Sequence, residues 1–253
     1  MDMMAVEGRR GEGMGIGTGI GTGTGMGMGE KIETPVIVLN VKAYAESMGE
    51  KGFELAEICE EVADEKGISI AICPQQVELA LIASMVNIPC FAQHVDAIEP
   101  GSHTGSVTLE TIKEAGATGS LVNHSEHRLK IAEIDFIVKK AASLNLLTIV
   151  CTNNIAVSKA VAELKPYAIA VEPPELIGTG KAVSKVDPGI VEDTVKEVRR
   201  VDEGSVVLCG AGVTNGEDVR AAIELGADGV LLASGVVKAK DPRAALLDLV
   251  SGV

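Results

Sequence analysis

The sequence predicts an α/β fold in which a single domain forms a (β/α)8 barrel, and three observations lead to this prediction. From Thr34 onward, eight short apolar runs are each followed by a segment with helical periodicity. The runs are four to six residues long and almost entirely apolar, which is typical of parallel strands covered by helices. The length of 253 residues suits one barrel. A doubly wound open sheet is the alternative, but the segment 41–44 replaces its usual glycine-rich turn.

Each predicted strand is a short run of almost entirely apolar residues. The first reads Pro-Val-Ile-Val-Leu-Asn, and the others have the same aliphatic character. The predicted strands are 35–40, 68–73, 88–93, 119–123, 146–151, 167–171, 205–209 and 229–232.

Each predicted helix follows its strand after a short connection, except that a long loop at 94–108 precedes the third. The clearest helix is 130–144, where Ile131, Ile134, Ile137 and Ala141 repeat with the helical period. The predicted helices are 50–66, 75–85, 109–115, 130–144, 155–164, 188–201, 215–225 and 242–250.

The composition excludes several classes of function. The core must be built from aliphatic side chains, because the chain has no Trp, three Phe and two Tyr. A formal net charge of −14 repels nucleic acid and anionic lipid, and no apolar run reaches the length of a membrane span. The five cysteines are odd in number and lack a C-x-x-C pair, so they indicate reduced thiols in the cytoplasm. No motif for a cofactor or a metal is found.

Residues 1–29 differ from the rest of the chain. Every odd position from Gly11 to Gly29 is glycine, a composition that cannot form a core. The strict odd spacing excludes a dinucleotide-binding loop, and no apolar segment of a secretory signal is present. We therefore expect a disordered extension over 1–29 ahead of a catalytic barrel over 30–253, with Met28 as a candidate for the true start.

Three strand ends carry side chains suited to acid and base chemistry, and barrel enzymes place their active sites at these ends. Asn40 and Lys42 lie on the same side of the chain after the first strand, where a lysine is costly unless it meets an anion. His124 follows the fourth strand beside the start of a short turn, whose dipole favours a neutral imidazole. Glu172 follows the sixth strand, where burial can tune a general base.

The remaining strand ends are suited to binding a phosphate group. Small residues at 210–212 and 233–235 expose backbone N–H groups near the starts of helices. The segment 173–179 has two prolines at its entry and glycines at its exit, which predicts a loop that closes as one piece.

Each of these features taken alone has a commoner structural explanation. Glu172 could be an incidental acid in a turn, Asn40 a loop cap and His124 a satisfied structural histidine. A metal pair of His124 and His127 lacks a third ligand nearby, and the segment 175–182 fails the phosphate-loop pattern. The functional interpretation depends on their order along the chain, since a barrel would bring all of them to one mouth.

Four motifs resemble the triosephosphate isomerase family in its archaeal form. They are N-x-K at 40–42, N-H-S-E-x-R at 123–128, A-V-E-P-P-E-L-I-G-T-G at 170–180 and C-G-A-G-V-T at 209–214. The resemblance covers residues 34–253. It implies interconversion of D-glyceraldehyde 3-phosphate and dihydroxyacetone phosphate through an enediolate, in glycolysis and gluconeogenesis, without a cofactor.

The resemblance also implies roles for individual residues. Glu172 is expected to be the base, His124 the neutral electrophile and Lys42 the cation that steadies the developing charge, while Asn40 positions the substrate. The pairing of a glutamate base with a neutral histidine is known for this family, and the resemblance implies it for these two residues. Glu126 is expected to support these groups. Binding of the phosphate is expected from main-chain amides and adjoining residues, namely Ile177, Gly178, Gly212, Ala233 and Ser234.

The sequence departs from many relatives at the phosphate-binding ends. Ala211 and Gly212 replace Gly-Ser, and Ala233 and Ser234 replace Gly-Gly. The loop 94–108 resembles the family's interface loop, so a homotetramer is expected, with a dimer as the alternative. Two other functions stay open: a lysine Schiff-base aldolase that uses Lys42, and a scaffold without catalysis.

Overall fold

The computed structural model describes residues 32–173 and 182–253, and within them the predicted strands form one parallel sheet. The predicted extension at 1–29, and most of the predicted closing segment including Ile177 and Gly178, lie outside the described residues. The strands are β1 (Val36–Asn40), β2 (Ser69–Cys73), β3 (Phe91–Ala92), β4 (Gly119–Val122), β5 (Leu147–Thr152), β6 (Ala168–Val171), β7 (Val206–Cys209) and β8 (Gly229–Leu232).

Helices follow the strands around the outside of the sheet. A 3₁₀ turn at Ala45–Ser47 precedes the first of them. The helices are α1 (Glu50–Lys66), α2 (Leu79–Met85), α3 (Leu109–Glu114), α4 (Ile131–Ser143), α5 (Ile155–Ala162), α6 (Val183–Val186), α7 (Pro188–Val201), α8 (Gly216–Glu224), α9 (Ser234–Val237) and α10 (Pro242–Val250).

The sheet closes into a barrel. Its strand order is β2-β1-β8-β7-β6-β5-β4-β3, so β2 and β3 are the two ends. A parallel bridge between Ile72 and Cys90 joins them, and the Ile72 N–H donates to the Pro89 carbonyl at 3.0 Å. The predicted (β/α)8 barrel is confirmed.

Two predicted elements are shorter than expected. The third strand pairs only over Phe91–Ala92, because the residues before it make a single bridge to β2. The second helix begins at Leu79, since 75–78 form a turn in which the Glu78 N–H donates to the Gln75 carbonyl at 2.9 Å. The short helices α6 and α9 were not predicted, because four residues are too few to show a period.

The core has two layers that follow from the alternation of side chains along each strand. In β1, Ile37 and Leu39 pack outward against the helices, whereas Val36 and Val38 point into the barrel. Phe91 is the largest fully buried side chain of the inner layer, and the other fully buried ones are aliphatic or cysteine, while the half-buried Tyr167 packs against them. Within the described residues, no helix is long and apolar enough to cross a membrane.

Candidate active site

A cavity opens at the carboxyl ends of the strands, as expected for an enzyme with this fold. It brings together the predicted residues from β1, β4, β6, β7 and β8. The lining residues are Asn40, Lys42, Tyr44, His124, Glu172, Gly210, Gly212, Val213, Thr214, Leu231, Leu232, Ala233 and Ser234. Of the predicted site residues, Ile177 and Gly178 lie outside the described residues.

Glu172 presents a buried carboxyl group to this cavity. Its backbone N–H donates to the Thr152 carbonyl at 2.7 Å, which continues the pairing of β5 and β6. The residue is 3% exposed, and Oε2 has no hydrogen-bond partner among the described residues. Burial raises the pKa of this carboxyl group to about 7, although the Cys151 thiol and the Lys42 ammonium oppose the shift. Glu172 is therefore suited to take up and release a proton near neutral pH.

Gly210 provides the space that Glu172 occupies. A Cβ atom on Gly210 would lie 2.5 Å from Cγ of Glu172 and 3.2 Å from the Val171 carbonyl oxygen. Any larger residue would therefore displace the carboxyl group. This role of Gly210 was not predicted, because β6 and β7 are neighbours in the sheet while Glu172 and Gly210 lie far apart in sequence.

His124 faces Glu172 as a neutral donor. Its Nε2 lies 3.5 Å from Oε1 of Glu172, and its Nδ1 accepts a hydrogen bond from the Glu126 N–H at 3.2 Å. This bond assigns the proton of the neutral ring to Nε2. Burial lowers the pKa of His124 to about 4, assisted by the charges of Lys42 and Arg128 and opposed by Glu126. The predicted neutral state of His124 therefore arises mainly from burial. The Glu126 N–H of the turn contributes by donating a hydrogen bond to Nδ1.

Lys42 is held in a strained backbone conformation, with φ of +51°. Such a conformation costs a non-glycine residue about 1–2 kcal/mol. The Lys42 N–H donates to Oδ1 of Asn40 at 3.0 Å, and its carbonyl accepts from Nε2 of Gln93 at 2.9 Å. Nζ lies 3.0 Å from Oε1 of Glu126. The contact from Gln93 was not predicted, since no residue near 41–44 in sequence indicates it.

The last two strands end in the loops where phosphate binding is predicted. Gly212 has φ of +72°, which a glycine adopts without strain. The Thr214 N–H and hydroxyl donate to Oδ2 of Asp218 at 2.9 and 3.0 Å, so α8 anchors this loop. Ser234 is the first residue of α9, and the first N–H groups of a helix lack intrahelical acceptors.

His127 packs against a second histidine, which gives it a structural role in place of the metal-binding role considered from the sequence. The ring of His127 stacks on that of His94, with centroids 3.6 Å apart and an interplanar angle of 12°. Oδ1 of Asp96 contacts Nε2 of His94 at 3.3 Å. In the described part of the chain, no group of three His, Cys, Asp or Glu residues could hold a metal ion.

Comparisons with known proteins agree with this geometry. A model of the triosephosphate isomerase family matches residues 35–253. A triosephosphate isomerase of Methanocaldococcus jannaschii is 55% identical over 215 residues, which cover 85% of this chain and 98% of the relative. The relative from Methanobrevibacter smithii is 52% identical over 220 residues, covering 87% and 99%. The relative from Methanobacterium bryantii is 54% identical over 221 residues, covering 87% and 98%. These relatives are archaeal, and the matches span the whole barrel, so the chain belongs to the triosephosphate isomerase family.

Proposed function

We propose that this protein is a triose-phosphate isomerase that interconverts D-glyceraldehyde 3-phosphate and dihydroxyacetone phosphate in glycolysis and gluconeogenesis. The observation that supports this most directly is the pair formed by Glu172 and His124. A buried carboxyl group lies 3.5 Å from the Nε2 atom of a neutral imidazole, at one wall of a cavity. A base and a neutral hydrogen-bond donor at this spacing suit proton transfer next to a carbonyl group.

The reaction moves one proton from carbon to carbon and one from oxygen to oxygen, so the substrate and the product contain the same atoms. Glu172 takes the proton from the carbon next to the carbonyl group, and the electron pair of that C–H bond forms the C=C bond of an enediolate. The carbonyl oxygen gains negative charge as this happens, and the Nε2–H of His124 donates a hydrogen bond to it. The protonated Glu172 then returns a proton to the neighbouring carbon, which regenerates the base. The hydroxyl proton on the carbon that lost its hydrogen passes to the former carbonyl oxygen, and that carbon becomes the new carbonyl carbon.

Lys42 and the loops after β7 and β8 supply the charge complementarity that the substrate needs. The Lys42 ammonium lines the cavity together with Asn40, Gly212, Ala233 and Ser234. Backbone N–H groups and a lysine are the groups that barrels use to hold phosphate. The ammonium contacts the Glu126 carboxylate, an arrangement that suits an anion-binding cation better than a nucleophilic amine.

An assay of triose phosphate interconversion by the purified protein tests this function. We expect catalytic interconversion in both directions, and no loss of activity when borohydride is added with the substrate. Absence of interconversion would contradict the proposal. A covalent adduct on Lys42 after borohydride reduction, absent from Lys42→Arg, would favour the aldolase alternative instead.

We also propose that the protein is a cytoplasmic homotetramer with one catalytic barrel per subunit. All five cysteines are free and buried, which suits a reducing compartment. Three apolar side chains on and beside α2 are exposed, namely Val77 at 90%, Leu81 at 51% and Met85 at 44%. In sequence, only β3 and its flanking residues separate α2 from the loop 94–108. Exposed apolar patches of this kind mark contacts between proteins.

Light scattering on the protein as it elutes from a size-exclusion column measures its mass and tests this assembly. We expect the mass of four chains, with two chains as the alternative. Leu81→Glu should reduce the mass, whereas Val253→Glu, a change at an exposed apolar residue at the end of α10, should not. A monomer in the unchanged protein would contradict the proposed assembly.

A further inference from the structure

A contact between Tyr44 and Lys238 borders the cavity without belonging to the predicted site. Tyr44 follows β1 and lines the cavity. Lys238 comes directly after α9, whose first residue lines the same cavity. Nζ of Lys238 lies 4.2 Å from the centroid of the Tyr44 ring. A cation over the face of a tyrosine ring is attracted by the ring's quadrupole, so the contact joins the first and last loops of the barrel mouth.

The charge of Lys238 is available to an anion that approaches from solvent. Lys42 contacts the Glu126 carboxylate, and Nη1 of Arg128 donates to the Asn123 carbonyl at 2.8 Å. Lys238 is exposed and forms no ion pair with any residue in 32–173 or 182–253. The aromatic ring restricts the long side chain without neutralising it, which a carboxylate partner would do.

A positive charge beside the cavity can attract a phosphate-bearing molecule that the acidic chain as a whole repels. With a formal net charge of −14, the protein repels a small molecule that carries a phosphate dianion. Clefts lined by charge of one sign raise the local concentration of the opposite ion and the rate of encounter. Nζ lies 4.2 Å from the centroid of a ring whose residue lines the cavity, so the charge lies beside the cavity. Charges closer together than about one Debye length, roughly 10 Å at 0.1 M salt, are only partly screened.

We propose that Lys238, held over Tyr44, is a positioning residue that attracts the phosphate group of the substrate to the loops at Gly212 and Ser234. This inference rests on the proposed isomerase function. The ammonium acts before the chemical step and touches neither reacting carbon. Its removal should therefore change kcat/KM more than kcat, and the change should shrink as salt screens the charge.

Lys238→Met tests the proposal through the dependence of kcat/KM on ionic strength. Coulomb's law for a dianion about 10 Å from one charge in water gives a loss of roughly threefold to fivefold at low salt. We expect this loss of kcat/KM to disappear above about 0.5 M salt. Lys238→Arg should keep most of the kcat/KM of the unchanged protein. Tyr44→Leu removes the ring and should reproduce part of the loss.

Lys113→Met is the matched control for charge. Lys113 lies in the last turn of α3 and forms no ion pair with any residue in the described ranges. It lies at the opposite mouth of the barrel, because each helix runs antiparallel to its strand. Its substitution changes the net charge equally and should alter kcat/KM by less than about 1.5-fold, since screening limits charges beyond a Debye length.

Binding of inorganic phosphate, measured by calorimetry at low and high salt, separates this inference from the proposed function. Lys238→Met should weaken phosphate binding at low salt even if the protein turns over no triose phosphate. An active protein whose Lys238→Met variant matches it at low salt would overturn the inference and leave the isomerase proposal standing. A loss that persists unchanged at high salt would also overturn it, because the contact would then only hold the two loops together.

Discussion

The pKa values of Glu172 and His124 are shifted in opposite directions by the same physical cause. Burial disfavours the charged form of any group, so it raises the pKa of a carboxyl group and lowers that of an imidazole. The pKa of Glu172 rises to about 7 and that of His124 falls to about 4. At neutral pH the imidazole is uncharged while the carboxyl group exchanges its proton readily. These shifts suit the proposed roles of Glu172 as the base and His124 as the electrophile.

The raised pKa of Glu172 predicts that Glu172→Gln stabilises the protein at alkaline pH. The pKa rises from 4.5 to about 7 on folding, so the folded state binds the proton more tightly. The stability from this group is complete below about pH 4.5 and is lost as the pH rises through about 7. At pH 8 the variant should be more stable by up to an amount on the order of 3 kcal/mol.

Denaturant unfolding at pH 5 and pH 8 measures this difference. The advantage of Glu172→Gln should be present at pH 8 and small at pH 5. Glu163→Gln, a change at an exposed acid after α5, should show little difference at either pH. Equal stability of the unchanged protein and Glu172→Gln at pH 8 would mean that the carboxylate is not buried as described.

At the scale of elements, the sequence predicted best those helices and strands whose ends are determined locally. The bounds of α1, α7, β8 and α10 are as predicted. Gly67 ends α1 in a left-handed conformation, a proline begins α7, and Asp241 caps α10 through the Ala244 N–H at 2.9 Å. The start of β3 depends on its single bridge to β2. The turn that delays α2 is held by bonds from Nε2 of Gln76 to the His94 carbonyl and from the Gly49 N–H to Glu78. No local pattern shows these distant partners.

The same distinction applies to the candidate site. Barrel topology was enough to predict that Asn40, His124 and Glu172 would meet, since the carboxyl ends of all strands lie at one mouth. The supporting contacts were not predictable. Gln93 holds the carbonyl of a strained Lys42, and Gly210 leaves room for Glu172. Both join residues far apart in sequence.

The contact between β6 and β7 predicts that Gly210→Ala lowers activity without unfolding the barrel. A Cβ atom would come within 2.5 Å of Cγ of Glu172, so the carboxyl group must move. Misplacing a catalytic group by about 1 Å can cost 10²-fold, and we expect a loss of kcat of that order. Gly189→Ala is the control, because its Cβ atom would meet only Oδ1 of Asp187 at an ordinary 3.5 Å. Near-normal kcat in Gly210→Ala would contradict the account.

At the scale of the whole molecule, the barrel is expected to fold without the glycine-rich residues. We propose from composition that 1–29 add nothing to the core. Ile32, by contrast, is buried, and its N–H donates to the Tyr167 hydroxyl at 3.0 Å. Protein made from Met28 should therefore keep its thermal midpoint and activity. Protein made from Val36 loses the Ile32 contacts and should be less stable. A loss of folding in protein made from Met28 would contradict the proposed division into domains.

The central claim is that Glu172 is the base of a triose-phosphate isomerase. The most direct measurement compares turnover of triose phosphate by the unchanged protein and by Glu172→Gln, with circular dichroism spectra to establish that both are folded. General-base catalysis is typically worth about 10²–10⁴-fold, so we predict that kcat falls by at least this factor in the folded variant. A folded Glu172→Gln variant with near-normal kcat would contradict the claim.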